Sequence, residues 1–303
     1  MLYLKSEIMK KIFVLAALAM IMAGCEKPIL DEDGKSKGDG NVTLVFSANN
    51  GDVTRGSARR AATQNLALYF TKLNVQVFDA WGEKAFSTMK TQTSDDSEFG
   101  HLTCQLEAGT YTVVAVGHSS IKSATIKSPQ MVQFTASDGE KLTDTFCYCG
   151  QIEVGNEELQ QTFTMQRVAA MVQLKLTDED VPESFTKMTI GYTGGSANFN
   201  PTTFEGTTKS TQSENRTKSD TSTYQVFTFP YMAETGTLKM TITAYDAQGN
   251  TLRQRVFDAV PVTRNRITTY TGQFFDGTEG NFTQSTFGFS VNGDWNGEDN
   301  YEF

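Results

Sequence analysis

The sequence is short of the residues from which catalytic and metal centres are built: two His and four Cys among 303 residues. Positive charge is short as well, with 26 Lys and Arg against 35 Asp and Glu and a net charge of −9. Nucleic-acid binding rests on Lys and Arg neutralising backbone phosphates, so this balance argues against it. Beyond residue 24 no apolar run approaches the ~20 residues that cross a bilayer. What is present instead is neutral and polar. Only 38% of residues are hydrophobic and 20% charged, and Thr, Ser, Gly, Asn and Gln fill the gap, with 21 Phe and 10 Tyr among them. β-Branched and aromatic side chains pack well on a pleated surface, so the composition predicts many short strands in an all-β chain. The length suits two domains of roughly 130–150 residues each.

The N-terminus reads as an address. Met9-Lys10-Lys11 supplies positive charge, Ile12 to Ala23 is unbroken apolar sequence, and Gly24-Cys25 closes it. The run is too short to span a bilayer and has the form of a secretory signal covering residues 1–24. Met22-Ala23-Gly24-Cys25 resembles a bacterial lipobox, in which a diacylglycerol is attached to the Cys thiol and the chain is cut just before it. Cys25 is the expected lipidation site, with palmitate among the acyl chains and the outer membrane as destination. Removing 1–24 takes three Lys and one Glu, a net +2, and leaves the mature chain at −11. Residues 25–40 form the expected flexible tether. Asp31-Glu32-Asp33 within it resembles the surface-export signal of Bacteroides-type lipoproteins and reads equally as a solvated linker.

Three cysteines remain, Cys104, Cys147 and Cys149. One disulfide from Cys104 to either of the others and buried free thiols are both open readings. A zinc site from His101, Cys104, Cys147 and Cys149 fits poorly, because residues 101 and 104 of a strand face opposite ways.

Alternation of apolar and polar residues marks the strands. In the first half they fall at 42–46, 73–77, 84–88, 102–106, 110–116, 131–134, 145–149 and 161–165. Glu107-Ala108-Gly109 joins the fourth and fifth as neighbours, and 61–70 is a weak helical candidate. In the second half Val172, Leu174 and Leu176 alternate, as do Met188, Ile190 and Tyr192. Leu238, Met240, Ile242 and Ala244 make the clearest half-buried strand, and 246–250 turns it into 252–257; 267–275 follows. Gly206 to Thr223 has almost nothing apolar and reads as a long mobile loop. The boundary between halves lies between Gly155 and Arg167, giving domains at 41–160 and 161–303.

Arg167-Val168-Ala169-Ala170-Met171-Val172, then Ser196-Ala197-Asn198-Phe199-Asn200 and Thr203-Phe204-Glu205-Gly206, resemble the Bacteroidetes fimbrial anchor and minor-subunit lipoproteins of the fimbrillin-like, type V pilus class. Leu106 to Thr112, Arg264 to Thr268 and the closing Trp295 to Phe303 agree with it. Their order and spacing carry the resemblance, which covers nearly the whole mature chain. It implies two tandem transthyretin-like antiparallel β-sandwiches, no cofactor, other fimbrial subunits as partners, and attachment to the outer membrane through the lipid. It also implies assembly by strand donation, in which an extended segment of one subunit fills a groove in the next. Phe287, Phe289 and Val291 alternate suitably for a donor strand; an ordinary last strand is the other reading. In polymerising members a trypsin-like cut after an Arg releases the first strand. Arg55, Arg59 and Arg60 stand where that cut would fall.

An enzyme needs a placed acid, base or nucleophile. His101 and His118 have no partner in any recognisable motif, and Asp95-Asp96 sits in a polar loop. The alternative function is a surface glycan-binding lipoprotein, with Trp81, Trp295 or Tyr301 stacking on sugar rings, although core or strand-edge packing is the first reading for each.

Overall fold

The computed structural model describes residues 39–48, 66–135, 141–275 and 295–302, which form nineteen strands and one short 3-10 turn, Leu66–Leu68. In the N-terminal half the strands are β1 (Asp39–Ala48), β2 (Lys72–Phe78), β3 (Lys90–Thr93), β4 (His101–Glu107), β5 (Gly109–His118), β6 (Thr125–Ser128), β7 (Met131–Gln133), β8 (Phe146–Val154) and β9 (Leu159–Arg167). The C-terminal half has β10 (Ala170–Leu176), β11 (Lys187–Thr193), β12 (Asn198–Asn200), β13 (Glu205–Gly206), β14 (Gln212–Thr217), β15 (Thr223–Thr228), β16 (Thr235–Tyr245), β17 (Thr251–Thr263), β18 (Ile267–Gly272) and β19 (Glu298–Glu302). β9, which spans position 160/161, belongs wholly to the first set of sheets.

The same wiring occurs twice. The first half is one sheet in the order β3-β2-β5-β8-β9-β1-β4, folded over where β8 and β9 meet through only Phe146↔Arg167 and Cys147↔Gln166. The second half has β14-β11-β16-β17 facing β15-β10-β18, with β19 added at the end. Reading β1 as β10, β2 as β11, β5 as β16 and β9 as β18 makes the two orders identical. Each pair of layers encloses its own apolar core. Val42, Leu44, Phe46, Val75, Val113 and Phe163 meet in the first, and Val172, Leu174, Ile190, Leu238 and Ile242 in the second. The resemblance implies antiparallel sandwiches, and neither half is purely so. β1 lies parallel to β9, and β10 parallel to β18, because the last strand of each half re-enters beside the first after crossing between layers.

What differs between the halves is what is inserted. β6 and β7 are inserted between β5 and β8, and β12 and β13 between β11 and β14. The two insertions pair with one another, Asn198↔Gln133 and Phe199↔Val132, into a fourth sheet ordered β13-β12-β7-β6. Beneath it Phe78, Val114, Val116, Ile126 and Phe134 pack with Ala197, Phe199, Phe227 and Phe229 in a third core shared by both halves.

That third core explains a departure from simple alternation. β2 buries both faces, Leu73, Val75 and Val77 inward and Asn74, Gln76 and Phe78 outward. The polar members are held by hydrogen bonds, Asn74 Nδ2 donating to Thr91 Oγ1 at 2.8 Å and Gln76 Nε2 to Phe86 O at 3.1 Å.

One charged residue sits where the halves join. Arg167 ends β9, is 5% exposed, and donates from Nε to both Asp144 carboxylate oxygens at 2.8 and 2.9 Å. Its Nη1 reaches Asn265 Oδ1 at 3.3 Å, and its guanidinium lies 4.6 Å from the Phe146 ring and 4.0 Å from the Trp295 ring. Val168 and Ala169, both fully buried, then lead directly into β10.

The structure corrects several expectations. Residues 206–223 are not a long loop: β14 lies inside them and pairs with β11 from Lys187↔Thr217 to Tyr192↔Gln212. Its inward face is polar, so hydrophobic patterning misses it; buried Glu214 stands 2.8 Å from the Tyr192 hydroxyl and 2.6 Å from Arg216 Nη2. β4 and β5 do not pair. β4 joins β1 and β5 joins β2 and β8, so Glu107-Ala108-Gly109 carries the chain between layers. The strand expected at 84–88 reduces to a single bridge, Phe78↔Lys84, and β3 forms later. The helical candidate is only the 3-10 turn, with 61–65 outside the described residues. β18 stops at Gly272, and Asp178 accepts the amides of Phe274 and Phe275 at 2.7 and 2.6 Å just beyond it.

His118, fully buried, shows how tightly this half is specified. The Ser120 amide lies 3.1 Å from its Nδ1, and Asn74 Oδ1 and the Ala124 amide lie 2.8 and 3.2 Å from its Nε2. Burial, helped by the Lys72 charge, lowers its pKa from 6.5 to about 3. The unfolded chain therefore takes up this proton first, and the stability tied to neutral His118 is full above pH 6.5 and is lost as pH falls towards 3. The whole effect is on the order of 5 kcal/mol. Urea titrations of wild type and His118→Phe at pH 7, 5 and 4 should show the variant less stable at pH 7, the difference narrowing steadily as pH falls.

Candidate functional site

The candidate site is the slot that holds β1. On one side β1 pairs antiparallel with β4, from Asp39↔Glu107 to Val45↔His101; on the other it pairs parallel with β9, from Val42↔Leu159 to Ala48↔Met165. Val42, Leu44 and Phe46 alternate into the core, all at most 2% exposed, while Thr43, Val45 and Ser47 are half-buried on the outer face. The Phe46 ring lies 5.5 Å from that of Phe163, and Ser47 Oγ donates to Phe163 O at 3.1 Å. The Phe46 amide donates to Gly100 O at 2.9 Å. Gly100 has φ +91°, and a Cβ there would come within 2.6 Å of Leu66 Cδ1, so glycine is required behind the strand.

This geometry has a chemical consequence. β4 and β9 touch β1 but not one another. Without β1 they would present two rows of unpaired backbone groups above an open apolar core, a surface that an extended strand with alternate apolar side chains completes. β10, the counterpart of β1, has no such freedom. It follows β9 after Val168 and Ala169, whose backbone is bonded to Thr145 and Asn265 at 2.9 Å each. β1 instead continues into residues 49–65.

The residues singled out from sequence fall into two groups. Cys25, the basic trio Arg55, Arg59 and Arg60, and the donor candidates Phe287, Phe289 and Val291 lie outside the described residues. The others are placed. Trp81 is 87% exposed. Trp295 covers Arg167, and Tyr301 stacks on Tyr270 with centroids 4.7 Å apart. Tyr301 belongs to β19, which pairs parallel with β18 from Ile267↔Glu298 to Thr271↔Glu302 and is fastened by Arg266–Asp299 at 2.7 Å.

Cys104, Cys147 and Cys149 are free thiols. Burial pushes Cys104 up to about 11 and raises the other two, so all three are protonated at neutral pH. Among the described residues no His, Cys, Asp and Glu gather in a metal-binding group. Asp96 accepts the Thr93 amide in a turn, and His118 is consumed in the core. A cavity of about 260 Å³ at one end of the second sandwich is lined by Leu176, Val181, Phe185, Lys218 and Tyr224 among others.

A model of a family of unknown function, DUF6562, matches residues 34–303. No curated protein matches the chain. Among solved structures it is similar to a candidate adhesin of Bacteroides ovatus, with 11% identity and a TM-score of 0.47 over 78% of this chain and 87% of that one. It is also similar to the fimbrial anchor protein Mfa2 of Porphyromonas gingivalis, at 17% and 0.37 over 71% and 81%. A fimbrial assembly protein of Parabacteroides distasonis matches at 13% and 0.38 over 77% and 90%.

If β1 closes the first core, its inward residues carry the stability of the slot. Leu44→Ala should cost about 2–5 kcal/mol in urea unfolding, and Thr43→Ala on the outer face less than about 0.5 kcal/mol. Equal effects at the two positions would mean that β1 is not a core strand.

Proposed function

The chain belongs to the DUF6562 family of unknown function, and we propose that it is a non-enzymatic lipoprotein of the cell surface, anchored at Cys25 in the outer membrane. In this reading it is a structural anchor or minor subunit of a fimbria assembled by strand donation, and it supports adhesion. The slot of β1 carries the reading. It is a site whose occupant is one continuous strand, whose specificity is three alternating apolar side chains, and whose walls offer backbone hydrogen bonds on both sides. That is the chemistry of β-augmentation, in which main-chain bonds give affinity and alternate pockets give register.

Two features of the sequence support exchange at this slot. Arg55, Arg59 and Arg60 follow β1 closely, where a trypsin-like cut would separate the strand from the rest of the chain in a polymerising subunit; in the anchoring role the loop stays uncut and keeps Cys25 joined to the body. Phe287, Phe289 and Val291 repeat the spacing of Val42, Leu44 and Phe46, so a segment of this chain has the pattern that an equivalent slot in a neighbour requires. Burying each of three such side chains contributes about 1.5–3 kcal/mol, enough with the ladder bonds to make donation between subunits durable.

The test is to replace Phe287, Phe289 and Val291 with Ser in cells. The expected variant keeps its own thermal midpoint but no longer co-purifies with other fimbrial subunits. Unchanged co-purification would remove this segment from assembly.

A further inference from the structure

The most exposed large apolar side chain among the described residues is Trp81, 87% accessible. The turn that displays it is rigid. Asp79 Oδ1 accepts the amides of Trp81 and Glu83 at 2.9 Å each, the Asp79 amide donates to Glu83 O at 2.8 Å, and Gly82 (φ +82°) donates to Asp79 O at 3.1 Å. Four hydrogen bonds hold an indole away from the protein.

Its position in the fold supplies the second observation. The turn leaves the end of β2, where Phe78 pairs with Thr112 near the start of β5. β4 ends at Glu107 on the same side, and Asp39, the first residue of β1, pairs with Glu107. Tyr111 lies between these features: burial first, then the charges of Glu107 and Asp79, raise its hydroxyl pKa. The Trp81 turn and the entry of the chain from Cys25 therefore share one end of the N-terminal half. The exposed Leu68 and Ile121 lie at the other end, where Lys72 Nζ bonds the Ser120 and Ile121 carbonyls. Because β9 runs parallel to β1, the link to the C-terminal half also departs from that far end.

We infer that Trp81 is a membrane-interface contact, seating the lipid-proximal end of the first sandwich on the outer leaflet. The inference rests on the lipid anchor at Cys25. Thirteen residues lie between Cys25 and Asp39, and this stretch reaches at most about 50 Å, so the tether holds the Trp81 end within range of the bilayer. An indole, apolar in body with one N–H at its edge, partitions to the headgroup level. Alone it binds weakly, but tethering makes the contact intramolecular and its effective concentration high. Asp79 Oδ1 is turned inward onto the turn and the Tyr111 hydroxyl is committed to Glu107 O at 3.0 Å, so neither of these two groups serves a ligand beside the ring.

Two tryptophans make the test direct, since Trp295 is covered by Arg167. Full-length lipidated protein is reconstituted into phosphatidylcholine vesicles with plain or brominated acyl chains, beside Trp81→Phe and Cys25→Ser. Flotation reads the anchor; bromine quenching, taken as wild type minus Trp81→Phe, reads the contact. The expected result is flotation that Cys25→Ser loses, and loss of most Trp81 emission in brominated vesicles. Flotation with Trp81 unquenched overturns the contact and leaves the anchor standing. Absence of flotation overturns both. A Trp81 emission shift with soluble maltoheptaose or mannan, and no lipid quenching, overturns the contact in favour of a glycan site.

Discussion

The arrangement of the molecule depends on the guanidinium of Arg167. It is withdrawn from water at the point where the first sandwich ends and the second begins, and both halves contribute to its shell. Asp144 and Phe146 come from the first, Asn265 and Trp295 from the second. A buried cation is tolerated only when a carboxylate and further acceptors or ring faces replace its hydration. Those replacements come together only if the corner between β8 and β9, the turn before β18 and the segment before β19 are all in place. The same residue pairs with Phe146 in the two-residue ladder that folds the first sheet over. One side chain thereby fixes the closing of one sandwich and the seat of the other.

Around that node the repeated wiring acquires its purpose. Two sandwiches with the same strand order are joined by what each adds to the plan, β6 and β7 from one and β12 and β13 from the other. The shared sheet and the aromatic core beneath it give the halves a common interior. Within this body β1 lies between β4 and β9, with its apolar residues closing the first core, whereas β10 is joined to β9 through the hydrogen-bonded Val168 and Ala169.

The sequence was readable where one face of a strand meets a core and the other meets water. β16, with Leu238, Met240, Ile242 and Ala244 on one side, is of this kind, and so is β1. It was unreadable where a third layer or a polar interior intervenes. Asn74 and Gln76 look like solvent-facing positions and are buried because the inserted strands cover them. Glu214 looks like part of a loop and is buried because Tyr192 and Arg216 satisfy its carboxylate. Parallel pairing of first and last strands leaves no trace in local alternation, since register across long separations is set by the whole sheet. β1 was legible as the alternation at 42–46, and its two neighbours in the sheet were not. Arg167 was legible only as one letter of a run, because the partners that define it come from positions 144, 146, 265 and 295.

If Arg167 and the shared sheet bind the halves into one body, the protein unfolds as one. Scanning calorimetry of the full-length chain tests this most directly. A single transition is predicted, with calorimetric and van't Hoff enthalpies in agreement, and Arg167→Ala should move that whole transition downward. Two separable transitions in the wild-type protein would contradict it.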